Sequence, residues 1–472
     1  MRKTKIICTL GPSVDSEEML EQLIQNGMDC ARLNFSHGTH EEQLVRINRV
    51  KKVRDKLGIN LPILLDTKGP EIRLRNFEDG KIEVKTGDLI TLSSDKDLIG
   101  TKHKVGLSFD KLAYNVKVGT KILVDDGKVS LEVQEIIDKD VLCKVLNDGV
   151  LKDKKSINIP NVIVEMDYLS ENDKKDLLFG IANDIDYIAA SFVRTAQDVI
   201  DLREFLKANG GEDIKIISKI ENTSGIAHLG KIIDLSDGIM VARGDMGVEV
   251  PFKDLPAIQK DMISRCYKQG KQVITATQML ESMTSNPRPT RAEVSDVANA
   301  IYDRTTAIML SGETAAGKYP IEAVKAMSDI AIASESSINY KNRFYTSNLD
   351  LGNGFLSSIC NAAVNASFQV DSKAIICGSR YGKTAFQLAN YRPECPIIAC
   401  VLDKKACRQL NLAWNVYPIL AEEQNTTDDI FRNNLALALE SKIVEKGDVV
   451  VLTGSSAIGE KATDTLQLHY IK

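Results

Sequence analysis

Over the first seventy positions, short apolar runs alternate with stretches in which apolar residues recur at helical spacing. Residues 5–9 have the texture of a short strand. Asp15, with Glu18 three positions on, carries the signature of a capping box ahead of Leu20, Leu23 and Ile24, and Gly27 ends that helix. Residues 30–35 make the next strand, Thr39 with Glu42 opens a second helix that stops near Gly58, and residues 62–65 form a third strand. Each strand–helix unit spans fewer than about thirty residues, the spacing of βα repeats around a parallel sheet.

Between Pro70 and Met166 the texture changes. Alternating segments at 81–85, 121–124 and 129–133 are separated by glycine-bearing turns, and Asp126-Gly127 and Asp148-Gly149 are strong hairpin signals. This block reads as a small antiparallel β domain inserted into the βα series. The βα rhythm then resumes with apolar runs at 187–190, 214–218, 239–242, 272–276 and 307–310. Counting both sides of the insertion gives eight units, which predicts a (β/α)8 TIM barrel. Periodicity alone leaves an open doubly wound sheet as the alternative. A Ser-, Asn- and Gly-bearing linker at 338–354 precedes strand-like runs at 374–377, 397–401 and 449–452. The expected organisation is α/β throughout: a barrel from residues 1–69 and 167–338, an inserted β-rich lid at 70–166, and a C-terminal α/β domain at 339–472.

Composition narrows the function classes. With 60 basic against 65 acidic residues the net charge is −5, which argues against nucleic acid as the main partner, and 5% aromatics argue against stacking platforms for single strands. No apolar run reaches the roughly 18 residues of a membrane helix. The basic start at Arg2, Lys3 and Lys5 is followed by an apolar stretch that ends at Gly11-Pro12, too short for the core of a signal peptide. Nine cysteines are scattered without a CxxC pair, so the expectation is reduced thiols in a cytoplasmic protein, with no disulfide framework or zinc site.

In a barrel the chemistry collects where strands end. Arg32, Asn34, Ser36 and His37 follow the second strand, and Asp66 to Arg73 follow the third. Residues two apart on a strand point the same way, so Lys219 and Glu221 converge on one ligand, with Asp245 just past the sixth strand. Two carboxylates plus waters and substrate oxygens suit Mg²⁺. Arg32, Lys219 and Arg73 suit a phosphate in transfer, and Gly244 leaves backbone N–H groups open to an anion. Taken singly each signal is weak: a Lys-x-Glu is usually a surface ion pair, Arg243-Gly244-Asp245 is usually a turn, and the His37/His40 spacing sits at a helix start. Their joint occurrence at the ends of five apolar strands favours a phosphate-plus-divalent-metal site.

At these residues the sequence resembles the pyruvate kinase family across nearly its whole length. The segments 32–38 (RLNFSHG), 65–73 (LDTKGPEIR), 217–222 (ISKIEN), 241–247 (VARGDMG), 276–283 (ATQMLESM) and 310–315 (LSGETA) match that family's signatures in order and spacing. The resemblance implies phosphate transfer from phosphoenolpyruvate to ADP with Mg²⁺ (or Mn²⁺) and K⁺. It assigns Arg32 to the phosphate, Lys219 to charge stabilisation, Glu221 and Asp245 to Mg²⁺, and Gly244, Asp245 and Thr277 to the substrate carboxylate. Asn34, Phe35, Ser36, His37, Arg73 and the lid's Lys155 match nucleotide positions, and Asn34, Ser36, Asp66 and Thr67 match K⁺ ligands. Glu71 matches members that depend on K⁺. Thr277 is expected to orient a water chain that protonates the enolate, a hydroxyl being itself a poor acid.

Ser379, Lys383 and Thr384, within 377–384 (CGSRYGKT), match the region that binds a phosphorylated effector, whereas the partner loop at 453–461 departs from the pattern of sugar-bisphosphate-activated members. The resemblance also implies a homotetramer, and a chain ending at Lys472 without the extra domain of some bacterial members. Two rival readings are another Mg²⁺-dependent barrel enzyme acting on phosphoenolpyruvate or an oxo acid, and a catalytically silent metabolite sensor. The first needs neither lid, Lys155 nor the K⁺ cluster. The second predicts loss of Lys219, a metal carboxylate or Thr277, and all are present.

Overall fold

The computed structural model describes residues 1–347, 349, 351–352, 354–424, 426–455 and 463–472. Strands Lys5–Thr9, Cys30–Asn34, Ile63–Asp66, Tyr187–Ala190, Lys215–Ile220, Gly238–Ala242, Gln272–Ala276 and Ala307–Leu310 run parallel in sequence order, and the last pairs with the first to close a barrel. Closure excludes the open doubly wound sheet. These strands read as continuous apolar runs because both faces are covered. Ile7, Leu64, Tyr187, Met240, Ile274 and Met309 fill the barrel's interior, and the opposite faces meet the ring of helices.

The two helix starts read from the first seventy residues fare differently. Thr39 and Glu42 form a reciprocal capping box at the head of His40–Leu57. At the first helix, Glu17–Gln25, the cap is Ser16, whose hydroxyl accepts from the Met19 amide, and not Asp15. A 3-10 turn over Pro12–Val14 ends on Asp15 and displaces the helix start by one residue. Asp15 instead pairs with Arg46 and Arg49 of the second helix at 3.3 and 2.5 Å.

The inserted block is a lid of one seven-stranded and one two-stranded sheet, antiparallel apart from the pairing of Leu89–Ser93 with Lys104–Gly106. Asp126-Gly127 turns the chain between Lys121–Val124 and Val129–Ile137, with Asp125, Asp126 and Gly127 all at positive φ. Asp148-Gly149 makes no hairpin between successive strands. It passes the chain from one sheet to the other, where Gly149–Lys152 pairs with Lys81–Val84, and the Asp148 carboxylate takes the Thr86 amide and hydroxyl instead. The lid rests on the barrel where Asn158 donates to Glu249 at 3.3 Å and the Asn161 amide donates to the Thr223 hydroxyl at 3.0 Å.

The C-terminal domain is a five-stranded sheet in the order Val416–Leu420, Ile397–Val401, Ala374–Ser379, Val449–Gly454 and Thr465–Tyr470, with the last strand antiparallel. The first and last of these lie outside the runs expected from sequence. The linker region also contains a helix, Tyr340–Thr346, whose Tyr340 ring packs against Trp414. The domain plugs the amino end of the barrel. Leu412 joins the interior cluster, the Tyr187 hydroxyl donates to the Gln409 carbonyl at 2.6 Å, and Arg408 donates to the fully buried Asp186 at 2.6 Å.

Candidate active site

The carboxyl ends of the second, third and fifth strands bring four charged side chains into one buried group. In-register pairing sets Asn34 opposite Asp66, and Ala190 opposite Ser218. Asp66, closing the third strand, accepts from Arg32 Nε at 2.7 Å and from Lys219 Nζ at 3.0 Å. Arg32 also donates to the Thr9 hydroxyl at 2.8 Å. Lys219 lies 3.0 Å from Glu221 Oε1, so the alternation argument places both on one side, and it donates to Ser191 Oγ at 2.7 Å. Glu221 Oε2 accepts from the Phe192 amide at 2.7 Å.

Burial dominates the electrostatics and charge pairing decides the outcome. Burial would raise the Asp66 carboxyl, but Arg32 and Lys219 outweigh it and hold Asp66 below the usual carboxylate range. Burial would lower the Lys219 ammonium, yet Asp66 and Glu221 push it up to about 12, so it stays charged. Glu221 goes the other way. Burial, reinforced by the charge of Asp245, pushes its carboxyl up to about 7 despite Lys219.

On the facing side of the barrel mouth, Asp245 lies half-buried in the first turn of Arg243–Glu249. The Gly244 amide donates to Thr277 Oγ1 at 2.8 Å, and that hydroxyl donates its own proton to the Ala276 carbonyl at 2.7 Å. Thr277 and Gln278 both have positive φ (66° and 54°), a conformation rare for a β-branched residue. Arg243, anchored on Asp296, donates to the Thr277 carbonyl and holds the turn. The cleft between lid and barrel measures about 120 Å³ and is lined by Asp245, Glu249 and Asn222 below and by Glu71, Asp126 and Ser156 above.

The divalent-metal reading fits the donor set. Glu221 Oε1 is buried with only the ammonium of Lys219, 3.0 Å away, to compensate it, and the mutual repulsion of Glu221 and Asp245 is what a cation relieves. Among the described residues no cluster of three or more His, Cys, Asp or Glu side chains could hold a metal, so protein ligands would be few. His37 is exposed, while His40 pairs with Asp176 at 2.5 Å and stacks on Phe179, so the two histidines form no metal pair.

Other sequence-derived candidates divide. Asn34, Asp66 and Thr67 gather at the ends of adjacent strands, with exposed Ser36 just beyond; the Asn34 side chain accepts from the Ser36 amide at 3.0 Å. Phe35 turns its ring into the barrel wall against His40 and Phe179, so it offers no side chain to a nucleotide. Lys155 is tied to Asp125 at 2.9 Å, and Arg73 to Glu71 at 2.7 Å and to the Lys154 carbonyl at 2.6 Å. In the C-terminal domain, Lys383 is exposed at the head of Lys383–Asn390 and Ser379 ends its strand half-buried. Gly382, just before Lys383, has φ 78°, and a Cβ there would lie 2.7 Å from Leu410. Thr384 does not face the solvent: its hydroxyl is buried against that of Thr463 at 2.6 Å. The partner loop lies largely outside the described residues.

Three groups in the site escaped the sequence reading: Thr9, Ser191 and the Phe192 amide. A hydroxyl on a neighbouring strand, distant in the chain from the cation it meets, leaves no spacing signal. Listing every residue at a strand's carboxyl end, the fourth strand included, would have found Ser191.

Comparison with known proteins follows the same lines. Residues 1–324 match the family model of the pyruvate kinase barrel domain, and residues 357–469 that of the pyruvate kinase alpha/beta domain. The chain is 47% identical over 475 residues to a pyruvate kinase of Staphylococcus haemolyticus, covering 100% of this chain and 81% of that one. It is 45% identical over 473 residues to one of Bacillus licheniformis, covering 100% and 80%. Among solved structures it is similar to the crystal structure of a pyruvate kinase from Cryptosporidium parvum, with a TM-score of 0.95 and 38% identity over 100% of this chain and 96% of the other.

Proposed function

The chain belongs to the pyruvate kinase family, enzymes that transfer phosphate between phosphoenolpyruvate and ADP, and from that premise we propose how its own residues perform the reaction. The observation that carries the reading is the buried sequence of alternating charges Arg32, Asp66, Lys219 and Glu221 at the mouth of the barrel, under a lid. Phosphoryl transfer needs positioning and neutralisation of charge on the oxygens in flight, with little covalent help. Arg32 holds the phosphate, and Lys219, kept charged, stabilises it between donor and acceptor. Asp66 fixes both cations so that neither must reorganise as the phosphate moves. The backbone around Gly244 and Asp245, with Thr277, would seat the substrate carboxylate, which draws the Gly244 amide and the Thr277 hydroxyl from their present partners. The Thr277 hydroxyl is a poor acid and donates its hydrogen bond to the Ala276 carbonyl, so it orients the water that delivers the proton converting enolate to pyruvate and does not itself supply that proton.

Glu221 and Asp245 would hold Mg²⁺ (or Mn²⁺), which when bound supplies positive charge beside the phosphate oxygens. The all-oxygen set Asn34, Ser36, Asp66 and Thr67 would hold K⁺. Glu71 is engaged by Arg73 and adds no cation of its own, which supports K⁺ dependence. ADP phosphates would draw Arg73 and Lys155 from their present carboxylate partners, with Asn34, Ser36 and His37 beneath. A phosphorylated effector would meet Ser379 and Lys383, and the family resemblance supports a homotetramer. No helix among the described residues is long and apolar enough to cross a membrane, and the nine unpaired thiols support a cytoplasmic setting. The test is pyruvate formation from phosphoenolpyruvate and ADP. Turnover requiring both Mg²⁺ and K⁺ is expected; full activity in K⁺-free, Na⁺-free buffer would contradict the monovalent site, and no turnover would contradict the whole reading.

A further inference from the structure

Ser191 and Phe192, the two residues that follow the fourth barrel strand, touch both members of the Lys219–Glu221 pair. Phe192 has φ 55°, an uncommon conformation for a bulky aromatic, and it is in this conformation that its amide reaches Glu221. Ser191 is buried and all its polar atoms are engaged. Its amide donates to Thr67 Oγ1 at 3.1 Å and its carbonyl accepts from the Tyr168 hydroxyl at 3.0 Å. Its hydroxyl has one proton and two candidate acceptors, the Thr67 carbonyl at 2.6 Å and Asp66 Oδ1 at 3.2 Å. The shorter contact takes the proton, which turns the oxygen's lone pairs toward Lys219 Nζ at 2.7 Å. The loop that follows the third strand closes on this residue. Gly69 lies at φ 73°, and a Cβ there would come within 2.7 Å of the Ser191 carbonyl oxygen.

We propose that Ser191 is a positioning residue for phosphoryl transfer, acting through Lys219, an inference that rests on the functional reading above. A lysine ammonium is a point charge with three rotatable donors on a flexible stem. Asp66 and Glu221 draw that charge between them, and the fixed neutral oxygen of Ser191 sets its direction. The Thr67 carbonyl in turn fixes the hydroxyl. Arg32, Gly244 and Thr277, which seat the substrate, keep their own partners when the Ser191 hydroxyl is removed, so the effect falls on turnover and not on binding.

The experiment is steady-state kinetics of the full chain with Mg²⁺ and K⁺, comparing wild type with Ser191→Ala. Thermal melting shows whether the variant folds. If it does not, Ser191→Cys takes its place, keeping the size of the side chain and exchanging the oxygen for a weak sulfur acceptor. The expected result is a kcat lower by about ten- to a hundredfold, with KM for phosphoenolpyruvate within about twofold of wild type. A kcat within about twofold of wild type, or a loss carried by KM, overturns the role. A wild-type chain without turnover would instead overturn the functional reading itself.

Discussion

At the scale of single residues the site is a contest between burial and pairing, settled differently at each charge. Asp66 faces two cations and stays ionised. Glu221 faces one cation and a like charge, and its carboxyl moves up to about 7. That difference has a measurable consequence, because a divalent cation binds the carboxylate and not the acid. Above about pH 7 the Glu221 proton is already gone and Mg²⁺ affinity is flat. Below it, a proton must leave for the metal to enter, so the half-saturating Mg²⁺ concentration rises by about tenfold per pH unit. Calorimetric titration of the substrate-free chain with Mg²⁺ between about pH 5.5 and about pH 8 reads this directly, and an affinity independent of pH over that window would contradict it.

At the scale of elements, the fourth strand is held at both ends. Its carboxyl end delivers Ser191 and Phe192 to the site, and its amino end is gripped by the C-terminal domain through Asp186, Arg408 and Gln409. Asp186 is fully buried, and burial pushes its carboxyl up to about 6 against the pull of Arg408. A raised carboxyl means that the native chain holds a proton which the unfolded chain releases at lower pH, so this group's contribution to stability falls as pH rises through about 6. Arg408→Met removes the main compensation for the Asp186 charge and leaves only the Ile63 amide and the more distant Arg54. The expected loss is about 3–5 kcal/mol at about pH 8, shrinking toward about pH 5 as Asp186 takes a proton. Urea unfolding at the two pH values checks this, and a loss as large at pH 5 as at pH 8 would contradict it. None of this grip is legible in the sequence: Asp186 reads as one more acidic residue before an apolar run, and Arg408 as one more base on an amphipathic helix. Local signals were legible where chemistry is local, as at Thr39 with Glu42. They failed where a neighbouring turn moved the boundary, as at Asp15, or where a Gly-bearing turn served two sheets, as at Asp148-Gly149.

At the scale of the whole molecule, the sequence carried the architecture because a barrel repeats one unit. Eight apolar runs at βα spacing are a redundant signal that survives errors of one or two residues at each boundary. The C-terminal domain was legible as α/β but not in its edges, since Val416–Leu420 carries Pro418, which argues against a strand, and Thr465–Tyr470 is a partly exposed strand of mixed polar and apolar residues. Side-chain commitments were the least legible: the buried Phe35 ring, the Thr384 hydroxyl on Thr463, and the pairing of Lys155 with Asp125 depend on residues distant in the chain.

What the assembled molecule achieves is one ammonium, Lys219, kept charged between two carboxylates in a buried site at the mouth of the barrel. If this charge stabilises the phosphate in transfer, Lys219→Met removes that stabilisation, which is read as turnover in full Mg²⁺ and K⁺ with phosphoenolpyruvate binding measured separately by equilibrium dialysis. The expected result is a kcat lower by about a hundred- to a thousandfold with binding changed by no more than about threefold. A variant that retains a third or more of wild-type turnover would contradict it.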